Sequence, residues 1–303
     1  MTAATQATLD PNAPPPLPDP NADQLLAAPG SGRMRRAQLV AVARQELVRL
    51  LLRRRALGAI ALAALPVLLM MLWAMFPEEL RNVSVGDVGI VYAQIFRGFI
   101  LQMIIVFGCV VIFSNLIRRE VRDKTLHYHL LAPLSRGVLI GGKYVGGLLA
   151  ASLIFGSATL LSFLLTYAPY LAVDPVALGA FFSDGPGWWH LLSYLTVTVF
   201  ACVGYGAVFL ALGLWFKNPV LPAIGVYGWE LCNFLLPPAL KKLSVVHYLV
   251  NVLPIPVDEG PFAILSTAPN PWFGIPGLIV LSVLLVGFSV WRVRGMEISY
   301  GED

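Results

Sequence analysis

The sequence predicts an all-α polytopic membrane protein with six transmembrane helices, a further helix before the first span and a short charged helix between spans two and three. Of its 303 residues, 57% are hydrophobic and 13% are charged, whereas a soluble chain carries about a quarter charged residues. Its mean hydropathy is +0.75. Several apolar runs reach about 20 residues, which is the length that a helix needs to cross a hydrocarbon core of roughly 30 Å.

The first part of the chain, residues 1–32, is rich in Pro, Ala, Asp and Asn. We expect this tail to be disordered and cytoplasmic, because it cannot bury enough apolar surface to offset the entropy that ordering would cost. A polyproline docking motif is the alternative interpretation of the same composition.

Residues 33–55 predict an amphipathic interfacial helix. Apolar side chains form one helical stripe, arginines supply the cationic side, and Glu46 interrupts the stripe. A helix of this kind is expected to lie on an anionic leaflet. The stripe consists of Leu39, Val42, Ala43, Leu47 and Leu50.

The rest of the chain, residues 56–303, predicts a six-span transmembrane domain. The spans run approximately over residues 56–76, 92–117, 138–167, 188–216, 220–236 and 272–291. The fifth is short and contains Pro222. On the third span Gly142, Gly146 and Ala150 are spaced four apart, which lets helix backbones approach closely. Packing within the chain and a dimer seam would both use such a stripe.

The orientation of the bundle follows from its basic residues. With the amino terminus inside, 17 of the 21 Lys and Arg fall in inner segments and four in outer segments. Because cytoplasmic segments carry the excess of Lys and Arg, we expect both termini to be cytoplasmic, in the plasma membrane or bacterial inner membrane. The net charge of +4 thus follows the membrane, and no nucleic-acid partner is expected.

Two features belong to the outer side of this topology. The link between spans five and six, residues 237–271, is the longest external segment, and we expect one or two short helices on the outer surface or dipping into it. Glu230 is a carboxylate well inside the fifth span, where an ionisable group is costly and usually faces a cavity or a partner. It is either a residue of the substrate path or gate, or a buried acid that is hydrogen-bonded for packing.

The polar insert between spans two and three, about residues 118–134, predicts a charged helix. Opposite charges lie one turn apart, as at Glu120 and Lys124, which favours a helix. Pro133 ends it, because proline lacks the backbone donor and clashes with the preceding turn. A charged helix at the inner mouth of a membrane bundle offers a surface to a soluble partner.

The order of residues in and after this insert is distinctive: Glu120, Thr125, Leu126, Pro133, Ser135, Arg136 and Lys143. It resembles the cytoplasmic loop of the type-two (exporter) permeases of ATP-binding-cassette transporters. In that family the loop forms a coupling helix that docks on the ATPase subunit, and an elbow helix precedes the first span. Lys124 stands where the family often has Gly, and His127 and His129 lie outside the pattern. The resemblance implies that the ATPase contacts Glu120, Arg122, Thr125, Leu126, Pro133, Ser135 and Arg136.

Residues 137–144 nearly match a phosphate-binding P-loop, but Tyr144 replaces the Ser or Thr that binds magnesium, and no strand precedes it. His127 and His129 point to nearly opposite faces of a helix, which is poor geometry for one metal ion. We therefore predict no metal site, no cofactor and no enzyme activity in this chain, with ATP and Mg bound by a partner subunit.

The resemblance implies a transmembrane permease subunit of an ATP-driven exporter. Its expected partners are two copies of an ABC ATPase subunit, a second permease chain that is identical or homologous, the lipid bilayer and an extracytoplasmic accessory protein. The alternative is a membrane anchor or scaffold that recruits a soluble complex without transport. An enzyme acting on lipid lacks a visible catalytic set, and an ion channel is disfavoured because no span carries a repeated charged stripe.

Overall fold

The computed structural model describes residues 32–52, 56–76, 83–114, 116, 136–216, 218, 220–257 and 270–294. These residues are almost entirely helical, and none of them lies in a strand. The chain divides into a first unit, residues 1–37, of which only the start of one helix is described, and a second unit, residues 38–303. The all-α polytopic fold that the sequence predicts is confirmed.

Twelve α-helices are present among the described residues. In chain order they are α1 (Gly32–Leu52), α2 (Ala56–Ala74), α3 (Val85–Ile95), α4 (Val106–Phe113), α5 (Arg136–Tyr167), α6 (Tyr170–Val173), α7 (Pro175–Ser183), α8 (Gly187–Trp215), α9 (Val220–Leu231), α10 (Pro238–Lys241), α11 (Val245–Leu249) and α12 (Pro271–Arg294). A π-helix, Phe96–Ile105, joins α3 to α4, and short 3₁₀ turns follow α9 and α11 at Cys232–Leu235 and Val250–Val252.

Five stretches of the described chain are long and apolar enough to cross a membrane. They are Leu57–Ala74, Val85–Phe113, Gly137–Val173, Gly187–Trp215 and Trp272–Arg292. They coincide with the first, second, third, fourth and sixth predicted spans. The multi-pass membrane character of the chain is therefore established by the length and apolar composition of these helices.

The second span begins earlier than the sequence pattern indicates, at Val85 rather than near Tyr92. The reason is a helix cap. The Ser84 side chain accepts a hydrogen bond from the Asp87 amide at 3.1 Å and donates one to the Asp87 carboxylate at 2.7 Å. Such a cap supplies a partner for an amide that the helix itself leaves without one.

The fifth predicted span corresponds to a shorter apolar stretch, Val220–Leu235. It consists of the 12 residues of α9 and a 3₁₀ turn of four residues. At the rise of each helix type this stretch covers roughly 26 Å, slightly less than a hydrocarbon core of roughly 30 Å. The count of six spans therefore remains a prediction.

The helix α8 has the largest share of buried residues among the five long stretches, while α2 and α12 have the smallest. The interior contains stacked and edge-on rings, among them Tyr92 against Phe163 and Tyr194 with ring centroids 5.4 and 5.1 Å apart. Polar groups in this interior pair with one another: the Tyr92 hydroxyl lies 3.1 Å from Ser162 Oγ. Tertiary packing thus joins the second, third and fourth spans.

Candidate functional site

The segment predicted to contact an ATPase, residues 118–134, lies outside the described residues, and the described chain flanks it at Leu116 and Arg136. Its residues outside the described part of the chain are Glu120, Arg122, Thr125, Leu126, Pro133 and Ser135. The second span is described to Ser114 and again at Leu116, and Arg136 is the first residue of α5. The contact with an ATPase stays a prediction, and the site can be built from the elements around these two ends. We call this region, residues 39–46, 113–116 and 136–147, the junction.

At the junction α1 and α5 lie backbone to backbone. A Cβ atom on Gly142 would lie 2.8 Å from the Val42 side chain, and one on Gly146 would lie 2.6 Å from the Ala43 carbonyl oxygen. Ala150, one turn further along α5, is fully buried. Gly142 and Gly146 of the third span therefore pack against α1 of the same chain. Whether α1 also lies on a leaflet stays a prediction.

This close approach brings two buried charges together. The Lys143 ammonium lies 3.4 Å from Glu46 Oε2 and donates to the Leu116 carbonyl oxygen at 3.3 Å. Lys143 is 2% exposed and Glu46 is 7% exposed. Arg49, one turn along α1, lies 3.9 Å from the same carboxylate oxygen, with 28% of its side chain exposed. Because a buried charge needs a partner of opposite sign, the pair satisfies both groups.

The end of the second span is also held by glycines of two other helices. A Cβ atom on Gly147 of α5 would lie 2.9 Å from Leu116 Cδ1, and one on Gly213 of α8 would lie 2.8 Å from the Ser114 carbonyl oxygen. A larger residue at Gly213 would have to displace the backbone at Ser114, and one at Gly147 would have to move the Leu116 side chain. The point where the chain leaves the second span is thus fixed against both α5 and α8.

Glu230 lies in the last turn of α9, and it is 2% exposed. Its carboxylate accepts hydrogen bonds from Ser244 Oγ at 2.6 Å, from the Val245 amide at 2.8 Å and from the Val246 amide at 3.4 Å. The two amides belong to the first turn of α11, whose amides have no partner within the helix. Glu230 therefore acts as an additional cap for α11.

Arg97, in the π-helix of the second span, reaches the same part of the chain. Its guanidinium donates to the Val257 carbonyl oxygen at 2.6 Å. We call residues 237–257 the distal connection. Its residues Val245, Val246 and Leu249 are at most 1% exposed. Two ionisable side chains, one from the second span and one from α9, thus bind the backbone of this connection, which is buried around residues 244–249.

An apolar groove of about 290 Å³ lies between α2, α3 and α5. Nearly all the side chains that line it are hydrophobic, and a pocket of this kind favours apolar occupants over polar ones. The sequence pattern gave no indication of this groove, because its residues come from three helices. They are Leu69, Met70, Leu72, Trp73, Phe76, Val88, Val91, Tyr92, Ile95 and Thr166.

The sequence contained a signal for the junction that is visible only in hindsight. Glu46 interrupts an apolar stripe and Lys143 follows two glycines in an apolar helix, so both charges lie where burial is expected. Their pairing spans 97 residues, and no spacing rule connects positions so far apart. Among the described residues there is no group of three or more His, Cys, Asp or Glu side chains that could hold a metal ion. His127 and His129 lie outside that part of the chain.

Comparison with known proteins identifies the family of this chain. A family model described as ABC-2 family transporter protein matches residues 50–226, which is more than half of the 303 residues. The matched region covers the first four long apolar stretches, both ends of the segment 118–134 and the start of α9. A search of curated proteins found no match. The chain therefore belongs to the ABC-2 family of transporter proteins, and it is a multi-pass membrane permease of an ABC transporter.

Proposed function

We propose that this permease is the membrane subunit of an exporter that is driven by a separate ATPase. The observation that carries the proposal is the family match across residues 50–226, because this region contains the charged segment 118–134 together with the helices on either side of it. Glu120, Arg122 and Thr125 are its main contacts with the ATPase, while Pro133 and Arg136 fix the turn. ATP and Mg are bound by the ATPase, and this chain supplies no cofactor site.

In the proposed assembly two ATPase subunits and two permease chains, identical or homologous, work together in a bacterial inner membrane with both permease termini in the cytoplasm. An extracytoplasmic accessory protein is a further proposed partner. Closure of the ATPase subunits around ATP pushes on the segment 118–134, and the bundle responds by rigid-body tilting. The push reaches α4 and α5 first, because the chain enters and leaves the segment through these helices.

The distal connection is the proposed exit. It is held at residues 244–246 by Glu230 and at Val257 by Arg97. Release of these contacts would free a buried segment that packs between α8 and α12, where Val245 would meet a Cβ atom on Gly204 at 2.8 Å. Glu230 is thus proposed to act on a gate through the backbone that it binds.

The test is a charge reversal in the segment 118–134. The native complex is purified with its ATPase and reconstituted in liposomes, and ATP hydrolysis is measured with and without the permease. Glu120→Lys should abolish the stimulation of ATP hydrolysis by the permease, because a cation replaces an anion at the proposed contact. The permease itself should keep its melting temperature, because the substitution lies in the charged segment that the sequence predicts between spans two and three.

The matched control is Asp184→Lys, the same charge reversal at an exposed residue between α7 and α8. It should leave the stimulation of ATP hydrolysis unchanged. Full stimulation by the Glu120→Lys complex would show that this residue is not part of the contact. A native complex without any ATPase would favour the alternative function, a membrane anchor that transports nothing.

A further inference from the structure

We infer that the buried pair of Glu46 and Lys143 is a positioning contact through which α1 sets the segment 118–134 for its ATPase. The inference rests on the proposed function, and it assigns a role to α1 and to two residues outside the proposed contact set. Lys143 is the centre of this arrangement, because its ammonium group touches α1 through Glu46 and the end of the second span through Leu116.

The geometry makes Lys143 the meeting point of three elements. It lies seven residues into α5, which begins at Arg136, directly after the segment. It donates to the carbonyl oxygen of Leu116, which lies two positions before the segment in the sequence. A displacement of either end of the segment relative to α1 must therefore change a distance at the Lys143 ammonium.

The charges give this contact two distinct arrangements. Glu46 and Lys143 are both buried, and separating them inside the protein would cost each charge its close contact with the other, leaving the carboxylate with the longer contact to Arg49 at 3.9 Å. The pair is therefore either made and buried or broken with both groups hydrated. Its distances of 3.3 to 3.4 Å exceed the roughly 2.7 to 2.9 Å of the tightest charge-assisted hydrogen bonds. A contact of this length can be exchanged without breaking a short, strong bond.

Packing alone does not require these charges. Gly142 and Gly146 already let α1 and α5 touch backbone to backbone, and Val42 and Ala43 fill that contact with apolar groups. Buried ion pairs can often be replaced by apolar residues of similar size without loss of stability. The pair must then contribute something other than holding α1 against α5. The hydrogen bond from Lys143 to Leu116 indicates that this contribution is to position the segment 118–134.

The test removes both charges while keeping the volume of the side chains. In the complex with its ATPase, Glu46→Gln together with Lys143→Met should leave the melting temperature of the permease nearly unchanged, because no buried charge is left without a partner. The stimulation of ATP hydrolysis by the permease should nevertheless fall about fivefold or more, the scale of a typical coupling between two sites. Arg49→Gln is the control, because it removes the exposed contact of the same carboxylate, and stimulation should stay near wild type.

A second series keeps both charges and changes only the reach of the side chains. Glu46→Asp withdraws the carboxylate by one methylene group and should lower the stimulation of ATP hydrolysis several-fold, and Lys143→Arg, which is longer, should restore part of it in the Asp background. If the variant that combines Glu46→Gln and Lys143→Met does not fold, this second series tests the inference in its place. Full stimulation in a folded double neutral variant, or in Glu46→Asp, would overturn the inference. Failure of the proposed function would look different, because the wild-type permease itself would then not stimulate its ATPase.

Discussion

At the scale of single residues, Glu230 is stable inside an apolar stretch because three donors of one neighbouring segment meet its carboxylate. Ser244 Oγ and the amides of Val245 and Val246 all point to it. Two interpretations were open from the sequence, a gate residue and a hydrogen-bonded buried acid. The structure describes the hydrogen bonds, and these are the contacts that a gate at the distal connection would have to break.

Replacing Glu230 by Ala should destabilise the purified permease by about 3 kcal/mol or more, because each buried donor left without a partner costs about 1–3 kcal/mol. Glu230→Gln should cost less, since its carbonyl oxygen still accepts from one of the three donors. Thermal unfolding in detergent measures both. Asp174→Ala is the control: Asp174 caps α7 through the Ala177 amide at 2.9 Å but is exposed, so its loss should cost only about 1 kcal/mol.

Among Glu230→Ala, Glu230→Gln and Asp174→Ala, the prediction requires Glu230→Ala to be the least stable. An Ala variant at Glu230 that melts at the temperature of the wild-type permease, or no lower than the Asp174→Ala variant, would show that the cap on α11 does not stabilise the fold. In that case the buried carboxylate would have to be explained by a role during transport alone.

At the scale of helices, sequence composition predicted the long spans well, because an apolar run of about 20 residues has few other stable structures. The features that composition did not predict depend on local contacts. The Ser84 cap starts the second span at Val85, and the π-helix Phe96–Ile105 has no sequence signature that the pattern could show. The partners of Glu46 and of Glu230 come from other elements, so the candidate site could not be assembled from spacing within any one helix.

The contact between α1 and α5 can be tested by replacing glycine with alanine at two positions of α5. Gly146→Ala should destabilise the permease by about 1–3 kcal/mol, the usual cost of overpacking, because its Cβ atom would lie 2.6 Å from the Ala43 carbonyl oxygen. Gly156→Ala is the matched control, because a Cβ atom there meets nothing within 4 Å. It should stabilise α5 by about 0.5–1 kcal/mol, the usual preference of a helix for Ala over Gly.

Thermal unfolding of the two variants in the same detergent gives the comparison directly. If Gly146→Ala is as stable as Gly156→Ala, α1 does not pack against α5 as described. If Gly146→Ala instead changes only the oligomeric state, the small residues form a seam between two chains.

At the scale of the whole molecule, the junction and the distal connection meet α8 at different levels: Gly213 packs against Ser114, and Gly204 packs against Val245, about 14 Å away along the helix. The helix α5 begins at the junction and α8 ends there, while Glu230 lies in the last turn of α9 and the distal connection follows it in the chain. In the proposed mechanism, force applied at the segment 118–134 reaches the distal connection through the long helices. Rigid helices that are held together by close glycine contacts transmit such a displacement with little loss.

The predicted topology requires that the junction and the exposed part of the distal connection lie on opposite sides of the membrane, and that Val220–Leu235 crosses it. Single cysteines at Asn218, Lys242 and Arg292, all exposed, test both points in cells treated with a membrane-impermeant maleimide. The background needs Cys232→Ser, because Cys232 is exposed whereas Cys109 and Cys202 are buried. The distribution of Lys and Arg predicts that Lys242→Cys reacts in intact cells, and that Asn218→Cys and Arg292→Cys react only after permeabilisation. Equal reactivity of Asn218→Cys and Lys242→Cys would mean that this short apolar stretch enters and leaves on one side, and the force would then have to cross the membrane through five helices rather than six.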